Sequence, residues 1–74
     1  MITYRKLFSL LYTRGIRKGA LQSAARLSSP TMAKLAKGEP IRMDSLDAIC
    51  RALQCQPGDI LEWVPDKEIE DQAE

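Results

Sequence analysis

Few side chains in this sequence could carry out covalent or metal chemistry. The chain has two cysteines, Cys50 and Cys55, and no histidine, so neither a Ser-His-Asp triad nor a Cys-His pair can form within it. A structural zinc site takes four ligands, mostly Cys and His, and two cysteines are too few within one subunit. Asp44 and Asp47 lie where a helix begins and favour its dipole, so they are not an acid–base dyad. The sequence therefore predicts a protein that is not an enzyme, with no catalytic residue, metal or cofactor.

The two cysteines are interpreted as reduced thiols that pack inside a helical core. Cys50 falls on the apolar face of a helix with Ile49 and Leu53, and Cys55 follows just past the end of that helix. Free cysteine behaves as a small apolar residue, and cytosolic thiols are usually kept reduced. This interpretation predicts slow alkylation of both thiols in the native state. An intramolecular disulfide and a metal bridge across a dimer are the alternatives.

The charges are divided unevenly between the two halves of the chain. Residues 1–42 contain nine basic residues and one acidic residue, whereas residues 43–74 contain two basic and nine acidic residues. The net charge of the whole chain is only +1, which conceals this division. A strongly basic half indicates an anionic partner, with a polyanion as the leading candidate. Two solvated faces of opposite sign are the alternative.

Apolar residues recur at helical spacing along most of the chain and predict five α-helices. These helices are expected near residues 3–14, 18–26, 29–37, 43–53 and 57–62. Gly15 and Gly38 stand where helices end, and Ser28 is a favourable N-cap for the third helix, with Pro30 in its first turn. One short pairing of residues 2–3 with residues 63–64 is compatible with this all-α prediction, since both ends carry β-favouring residues.

The 74 residues are enough for one domain. Residues 1–65 are predicted to form it, and residues 66–74, which are polar and mostly acidic, to form a flexible tail. All apolar runs are far shorter than the ~20 residues of a membrane span, and the N-terminus does not read as a signal peptide. We therefore expect a cytoplasmic protein with no membrane partner, and no small-molecule site is evident.

A stretch in the first half of the chain has the pattern of two helices joined by a short turn. It reads LQSAARLSSPTMAKLAKG, residues 21–38, and it resembles the helix-turn-helix of the phage repressor and Cro-like, or XRE, family of transcriptional regulators. The opening ITYRKLFSLLYTRGIRK, the linker KGEPIRMDSL and the ending AICRALQCQPGDILEWVPD resemble a small single-domain branch of that family. The resemblance implies a compact five-helix bundle of the lambda-repressor-like type, with its third helix in the DNA major groove.

Two positions depart from the usual pattern of that family. The family usually has Gly at the turn position held here by Arg26, and many members have a small Ala where this chain has Gln22. A non-glycine residue in the left-handed region of backbone space is strained by about 1 kcal/mol or more. Either the turn adjusts its backbone, or Arg26 accepts the strain and directs its guanidinium at solvent or phosphate.

The resemblance also implies which residues meet DNA, because the first part of the recognition helix contacts base edges. Lys34 can donate to guanine and Ser29 can contact either base type, whereas Pro30 and Ala33 offer only apolar contact. The phosphate contacts are expected from flanking residues, namely Arg14, Arg17, Lys18, Arg26, Thr31 and Lys37. This is a sparse reading surface, so more of the selectivity is left to DNA shape and to a second half-site.

Members of the family usually bind DNA as dimers, so a homodimer on DNA is expected. Leu61, Trp63 and Val64 cluster near the end of the fold and are the candidate dimer interface, with packing of Trp63 on its own core as the alternative. The function indicated is sequence-specific binding of double-stranded DNA by a small transcriptional regulator. The alternative function is a helical protein-interaction module, such as an antitoxin-like or adaptor subunit, whose basic face binds an acidic protein.

Overall fold

The computed structural model describes residues 1–66, and residues 67–74 of the predicted acidic tail lie outside this range. It contains four α-helices, Arg5–Arg14 (α1), Lys18–Ala25 (α2), Ser29–Lys37 (α3) and Met43–Leu53 (α4). The strands Ile2–Thr3 (β1) and Glu62–Trp63 (β2) form a two-stranded antiparallel sheet. The helical character of the fold is therefore confirmed, and one short sheet is added to it.

The predicted fifth α-helix, over residues 57–62, is wrong. Residues Pro57–Asp59 form a single 3-10 turn, which the Asp59 carboxylate closes by accepting a hydrogen bond from the Gln56 N–H at 2.8 Å. The chain then becomes extended, because Ile60 enters the core and Glu62–Trp63 pair with β1. This pairing joins residues 59 positions apart, and it overrides the local helical signal. The elements between Ile2 and Trp63 therefore include four α-helices, and the first begins at Arg5 because the residues before it form β1.

The sheet ties the two ends of the described chain together. Ile2 lies opposite Trp63, and Thr3 lies opposite Glu62. The Glu62 carboxylate holds the pair from one side, since it accepts from the Thr3 hydroxyl at 3.3 Å and pairs with the Arg5 guanidinium at 3.0 Å. The residues alternate in exposure, so that Thr3 faces inward while Ile2 and Trp63 face outward.

One hydrophobic core holds the helices together. Its fully buried side chains come from every helix and from the segment before β2, namely Leu7, Leu21, Leu35, Ile49 and Ile60. Helix α2 packs along α4 over the largest helix–helix contact of the fold. Each fully buried aliphatic side chain contributes about 1.5–3 kcal/mol to folding. Leu46 is also buried in this core, and Met32 packs against it while remaining partly exposed.

All four α-helices end in the same way. The chain leaves each helix through one residue in the left-handed region, and these residues are Gly15, Arg26, Gly38 and Gln54. The N–H of the next residue donates back to a carbonyl of the last helical turn at 2.8–3.1 Å, which is the Schellman arrangement. Arg26 and Gln54 adopt φ values of 54° and 52°, each at a strain of about 1 kcal/mol.

The prediction for the cysteines is only partly confirmed. Cys50 and Cys55 are free thiols that pack against the core, as expected. Both nevertheless remain half-exposed, because Ile49 and Leu53 take the centre of the buried face of α4 and Cys50 lies at its edge. The prediction of slow alkylation rested on full burial of both thiols, and the structure does not show that burial.

Tyr4 connects the start of α1 to the linker that follows α3. Its ring is buried, and its hydroxyl donates a hydrogen bond to the Glu39 carbonyl at 2.7 Å. Burial raises the pKa of Tyr4 because the phenolate would lose its hydration, and a hydrogen bond with the Ile41 backbone opposes this effect. The neutral phenol is therefore a part of the folded structure.

Replacement of Tyr4 by Phe should lower the free energy of unfolding by about 0.5–1.5 kcal/mol, because the partly buried Glu39 carbonyl loses its donor. Urea denaturation followed by circular dichroism measures this loss. Tyr12→Phe is the matched control, since Tyr12 is 89% exposed and its change should stay within about 0.5 kcal/mol. Equal losses in the two variants would contradict the structural role of the Tyr4 hydroxyl.

Candidate nucleic-acid interface

Helices α2 and α3 are joined by a tight turn over residues 26–28. Arg26 takes the left-handed conformation at φ 54° and ψ 45°, so the turn keeps its shape and Arg26 accepts the strain. Leu27 is buried beneath the turn, and its N–H donates to the carbonyl of Gln22 at 2.9 Å. Gln22 itself is half-buried. One apolar side chain and one backbone hydrogen bond therefore fix how α3 leaves α2.

Ser28 caps α3 as the sequence predicts. Its Oγ accepts a hydrogen bond from the Thr31 N–H at 3.2 Å and donates to the Thr31 hydroxyl at 3.0 Å. Pro30 lies in the first turn, where its missing N–H loses no helical hydrogen bond. The first turn of α3 is therefore well held, and this is the part of a recognition helix that meets base edges.

The four predicted base-contact residues lie together on the exposed side of α3. Ser29, Pro30, Ala33 and Lys34 are all exposed, and residues three or four apart on a helix share a face. Leu35 points to the opposite side and is fully buried. The first turn of α3 contains no acidic residue that would repel phosphate. The helix therefore presents a short convex surface with one charged donor, Lys34.

A polar hollow of about 330 Å³ lies beside this surface, between the turn and the start of α4. Arg26, Ser28 and Thr31 border it from the turn and α3, and Arg42 borders it from the residue before α4. Arg42 was not among the predicted phosphate-contact residues, although a basic residue directly before a helix is visible in the sequence. Its guanidinium lies 3.2 Å from the exposed Asp44 carboxylate, a surface ion pair of little energetic weight. Arg42 therefore borders the same hollow as Arg26 and Thr31, which are two of the predicted phosphate-contact residues.

Three further predicted phosphate-contact residues, Arg17, Lys18 and Lys37, are exposed at other helix ends. Lys18 opens α2, and its ammonium lies 5.0 Å from the centre of the Phe8 ring in a cation–π contact. Helix α2 has neither a side-chain cap nor an acidic residue in its first turn, so its first N–H groups are open to an anion. Lys37 lies in the last turn of α3.

Arg14, the last of the predicted phosphate-contact residues, makes a contact within the fold. Its guanidinium donates to the Leu53 carbonyl at the C-terminal end of α4, where a positive charge complements the helix dipole. The hollow with Arg26 and Arg42 adjoins the other end of α4, which has 11 residues and is about 16 Å long. Arg14 therefore supports the end of α4, about one helix length from the hollow with Arg26 and Arg42.

The three candidate dimer-interface residues differ in exposure. Val64 is buried, Leu61 packs partly against the core, and Trp63 is 68% exposed. Trp63 therefore does not pack on its own core. It lies opposite Ile2, which is 46% exposed, so two large apolar side chains share the outer face of the sheet.

An apolar groove of about 390 Å³ adjoins the sheet, with Ile2, Ile41, Met43 and Leu61 among its lining residues. The sequence analysis did not indicate this groove, because its walls come from four separate segments. Among residues 1–66, no three His, Cys, Asp or Glu side chains come together to hold a metal ion. Over the same residues, each helix is too short or too polar to cross a bilayer.

Comparison with known proteins agrees with this arrangement. Residues 6–66 match the family of Cro/C1-type HTH DNA-binding domains. The uncharacterized HTH-type transcriptional regulator YozG of Bacillus subtilis (strain 168) is 42% identical over 57 residues, which cover 70% of this chain and 68% of that protein. The crystal structure of transcriptional regulator VanUg, Form II, matches with a TM-score of 0.83 at 44% identity and covers 86% of this chain and 85% of that chain.

The family match spans α1 to the end of β2, and it therefore includes the turn, the capped helix α3 and the linker to α4. It confirms the resemblance drawn from the sequence, and it is a match to a DNA-binding domain, not to a class of enzymes. On this evidence, the chain belongs to the family of Cro/C1-type helix-turn-helix DNA-binding domains.

Proposed function

We propose that this protein is a small transcriptional regulator that binds double-stranded DNA in a sequence-specific manner, with α3 in the major groove. The observation that carries the proposal is the exposed first half of α3, a capped helix whose opposite side is held in the core by Leu35. The match to Cro/C1-type domains supports the same use of this helix. Docking by the N-terminal residues of α3 places their side chains at base edges.

The base contacts in this proposal come from four residues. Lys34 donates to O6 and N7 of guanine, and Ser29 contacts either base type through its hydroxyl. Pro30 and Ala33 contact the methyl group of thymine. Because only Lys34 carries a charge, direct readout in one half-site is modest, and DNA shape supplies a further part of the selectivity.

The phosphate contacts come from two groups of residues around α3. Arg26, Arg42 and Thr31 form the first group at the hollow beside the turn. The second group consists of Arg17 and Lys18 at the start of α2 and of Lys37 at the end of α3. Phosphate contacts fix the position of the helix on the duplex without reading its sequence. Both groups lie in the basic half of the chain, which supplies the electrostatic attraction.

The proposed assembly on DNA is a homodimer through the outer face of the sheet, centred on Ile2 and Trp63. These residues form an exposed apolar patch of the kind that marks interfaces. Strand β1 and the last turn of α3 line one surface depression, so the sheet lies toward the C-terminal end of α3. Ser29 and Pro30 lie at the other end of that helix, so its first turn stays free for DNA, whereas Lys37 borders the depression next to the sheet. A second half-site multiplies the selectivity of a sparse recognition helix.

The affinity for duplex DNA should fall steeply with salt, and two lysine variants should separate base from phosphate contacts. Lys34→Ala should weaken binding to the best site by about 1–3 kcal/mol and relax the base preference there. Lys37→Ala should weaken binding to all sequences about equally and reduce the salt slope by about one unit. Gel retardation or fluorescence anisotropy over a range of salt concentrations measures both effects.

Each lysine variant is the control for the other, because both residues are exposed and lie on α3. A parallel effect of the two changes on all sequences would contradict base reading by Lys34. A wild-type protein that retards no duplex at low salt would contradict DNA binding altogether. Binding to an acidic protein instead would then favour the interaction-module alternative.

Arg26→Gly should separate the strain at the turn from its contact with phosphate. Glycine adopts the left-handed conformation freely, so the free energy of unfolding should rise by about 0.5–1 kcal/mol. The affinity for all duplexes should nevertheless fall, because the guanidinium is lost. Gln54→Gly is the matched control, since Gln54 has the same backbone conformation at the end of α4. Gln54→Gly should stabilise the fold to a similar extent and leave the affinity for DNA unchanged. Equal DNA affinities of the two variants would argue against a phosphate contact by Arg26.

Trp63→Ala should reduce the complex on DNA from two subunits to one, because the outer face of the sheet loses its largest apolar side chain. Footprinting on a duplex selected with the wild-type protein should show protection shrinking to one half-site, and sedimentation should report the smaller mass. Tyr12→Ala, which removes an exposed aromatic from α1, should leave both unchanged. A wild-type complex with one subunit per operator, unaffected by Trp63→Ala, would overturn the dimer.

A further inference from the structure

Two thiols meet at the C-terminal end of α4, one helix length away from the hollow beside the turn. The Cys55 N–H donates to the Cys50 carbonyl at 3.1 Å and closes the Schellman motif around Gln54. In this motif, the side chains of the third residue from the helix end and of the second residue beyond it lie close together and frequently make contact. Cys50 and Cys55 occupy these two positions. Both side chains also border the same surface hollow.

Both thiols are open to small reagents. Each is half-exposed, and both line a surface hollow of about 320 Å³ whose other walls include Asp47, Arg51 and Gln56. A small thiol or disulfide can therefore approach the pair from this hollow. Two half-exposed thiols in mutual contact differ from two separate buried ones, because each can complete a reaction that the other begins.

The surroundings of the pair assign the two sulfurs different roles. Burial raises the pKa of the Cys50 thiol, and the neighbouring Cys55, Asp47 and Asp59 raise that pKa further. The Cys50 thiol is therefore less readily ionised than an ordinary cysteine, which makes it the slower nucleophile and suits it to the second step. We therefore assign the first attack to Cys55, which lies beyond the end of α4, and the resolving step to Cys50 within the helix.

We propose that Cys50 and Cys55 form a reversible intramolecular disulfide, and that this end of α4 is a thiol–disulfide exchange site for small disulfides such as oxidised glutathione. The motif that ends α4 holds the two residues together before any reaction, so disulfide formation needs no new approach of distant segments. The proposal concerns residues outside the DNA-facing surface, and it does not depend on DNA binding.

The reaction is an exchange in two steps. The Cys55 thiolate attacks one sulfur of oxidised glutathione, the S–S bond of that molecule breaks, and one glutathione thiolate leaves and takes up a proton. Cys50 then gives up its proton, its sulfur attacks the Cys55 sulfur of the mixed disulfide, and the second glutathione leaves. The protein loses two protons and two electrons, and these reduce one glutathione disulfide to two thiols.

The second step is favoured because it is intramolecular. Two groups joined by a short segment meet at an effective concentration in the millimolar range or above. The mixed disulfide at Cys55 should therefore be resolved by Cys50 before it accumulates. Since α4 packs along α2, the cross-link would act on the scaffold behind the helix-turn-helix and not on the residues that face DNA.

The test incubates the reduced protein with mixtures of reduced and oxidised glutathione, followed by acid quenching, alkylation and intact-mass analysis. The wild type should convert to a monomeric species that lacks two hydrogen atoms, carries no glutathione and takes up no alkylating reagent. Added reductant should restore both thiols. Circular dichroism confirms that the variants described below are folded.

Cys50→Ser is the diagnostic variant, because it retains the attacking sulfur and removes the resolving one. It should accumulate a single glutathione adduct at Cys55 in mixtures in which the wild type shows none. A wild-type protein that keeps two alkylatable thiols, collects glutathione on both, or forms intermolecular dimers in these mixtures would overturn the proposal. Failure of Cys50→Ser to take up glutathione would overturn it equally, since Cys55 would then not be the attacking sulfur.

Discussion

The geometry of this protein depends on the way in which its helices end. Each α-helix stops at one residue in the left-handed conformation, and a backbone hydrogen bond then turns the chain back across the last helical turn. Such an ending reverses the chain within a few residues, so short helices can pack around one core. Two of the four endings use glycine, whereas Arg26 and Gln54 accept a strain that the surrounding packing must offset. Leu27, the residue after Arg26, supplies part of this packing, because it is buried beneath the turn.

These helix ends leave α3 with one buried side and one exposed side, and the two sides have different functions. Its buried side belongs to the core through Leu35, and its exposed side carries the residues proposed to read DNA. Ser28 closes the first turn of α3, and the left-handed residue before it sets the direction of the helix. The helix is therefore positioned by residues that need not contact DNA themselves. Arg14 has a comparable role at a distance, since it stabilises the end of the helix that α2 packs against.

The sheet between the ends of the chain adds a second constraint. It replaces the helix expected after Pro57 and places Glu62 where it meets both Thr3 and the Arg5 guanidinium. Because the pairing turns Val64 inward and leaves Trp63 outward, it also creates the exposed apolar face of the molecule. Tyr4 strengthens this corner through its hydrogen bond to the linker that follows α3. The surface proposed for dimerisation is thus a product of pairing between distant segments.

The sequence by itself determined the features whose signals lie within one or two helical turns. The bounds of α3 and α4, the Ser28 cap, the glycine endings and the exposed face with Lys34 all agree with it, because caps, stops and apolar spacing act locally. Only the tertiary structure decided which of Trp63 and Val64 is exposed, where the Arg14 guanidinium is held, that Arg42 joins Arg26, and that Cys50 meets Cys55 at a half-exposed edge. These outcomes depend on segments that are distant in sequence or on how far a helix is rotated against its neighbours. A local pattern contains neither quantity, because both follow from the packing of the whole core.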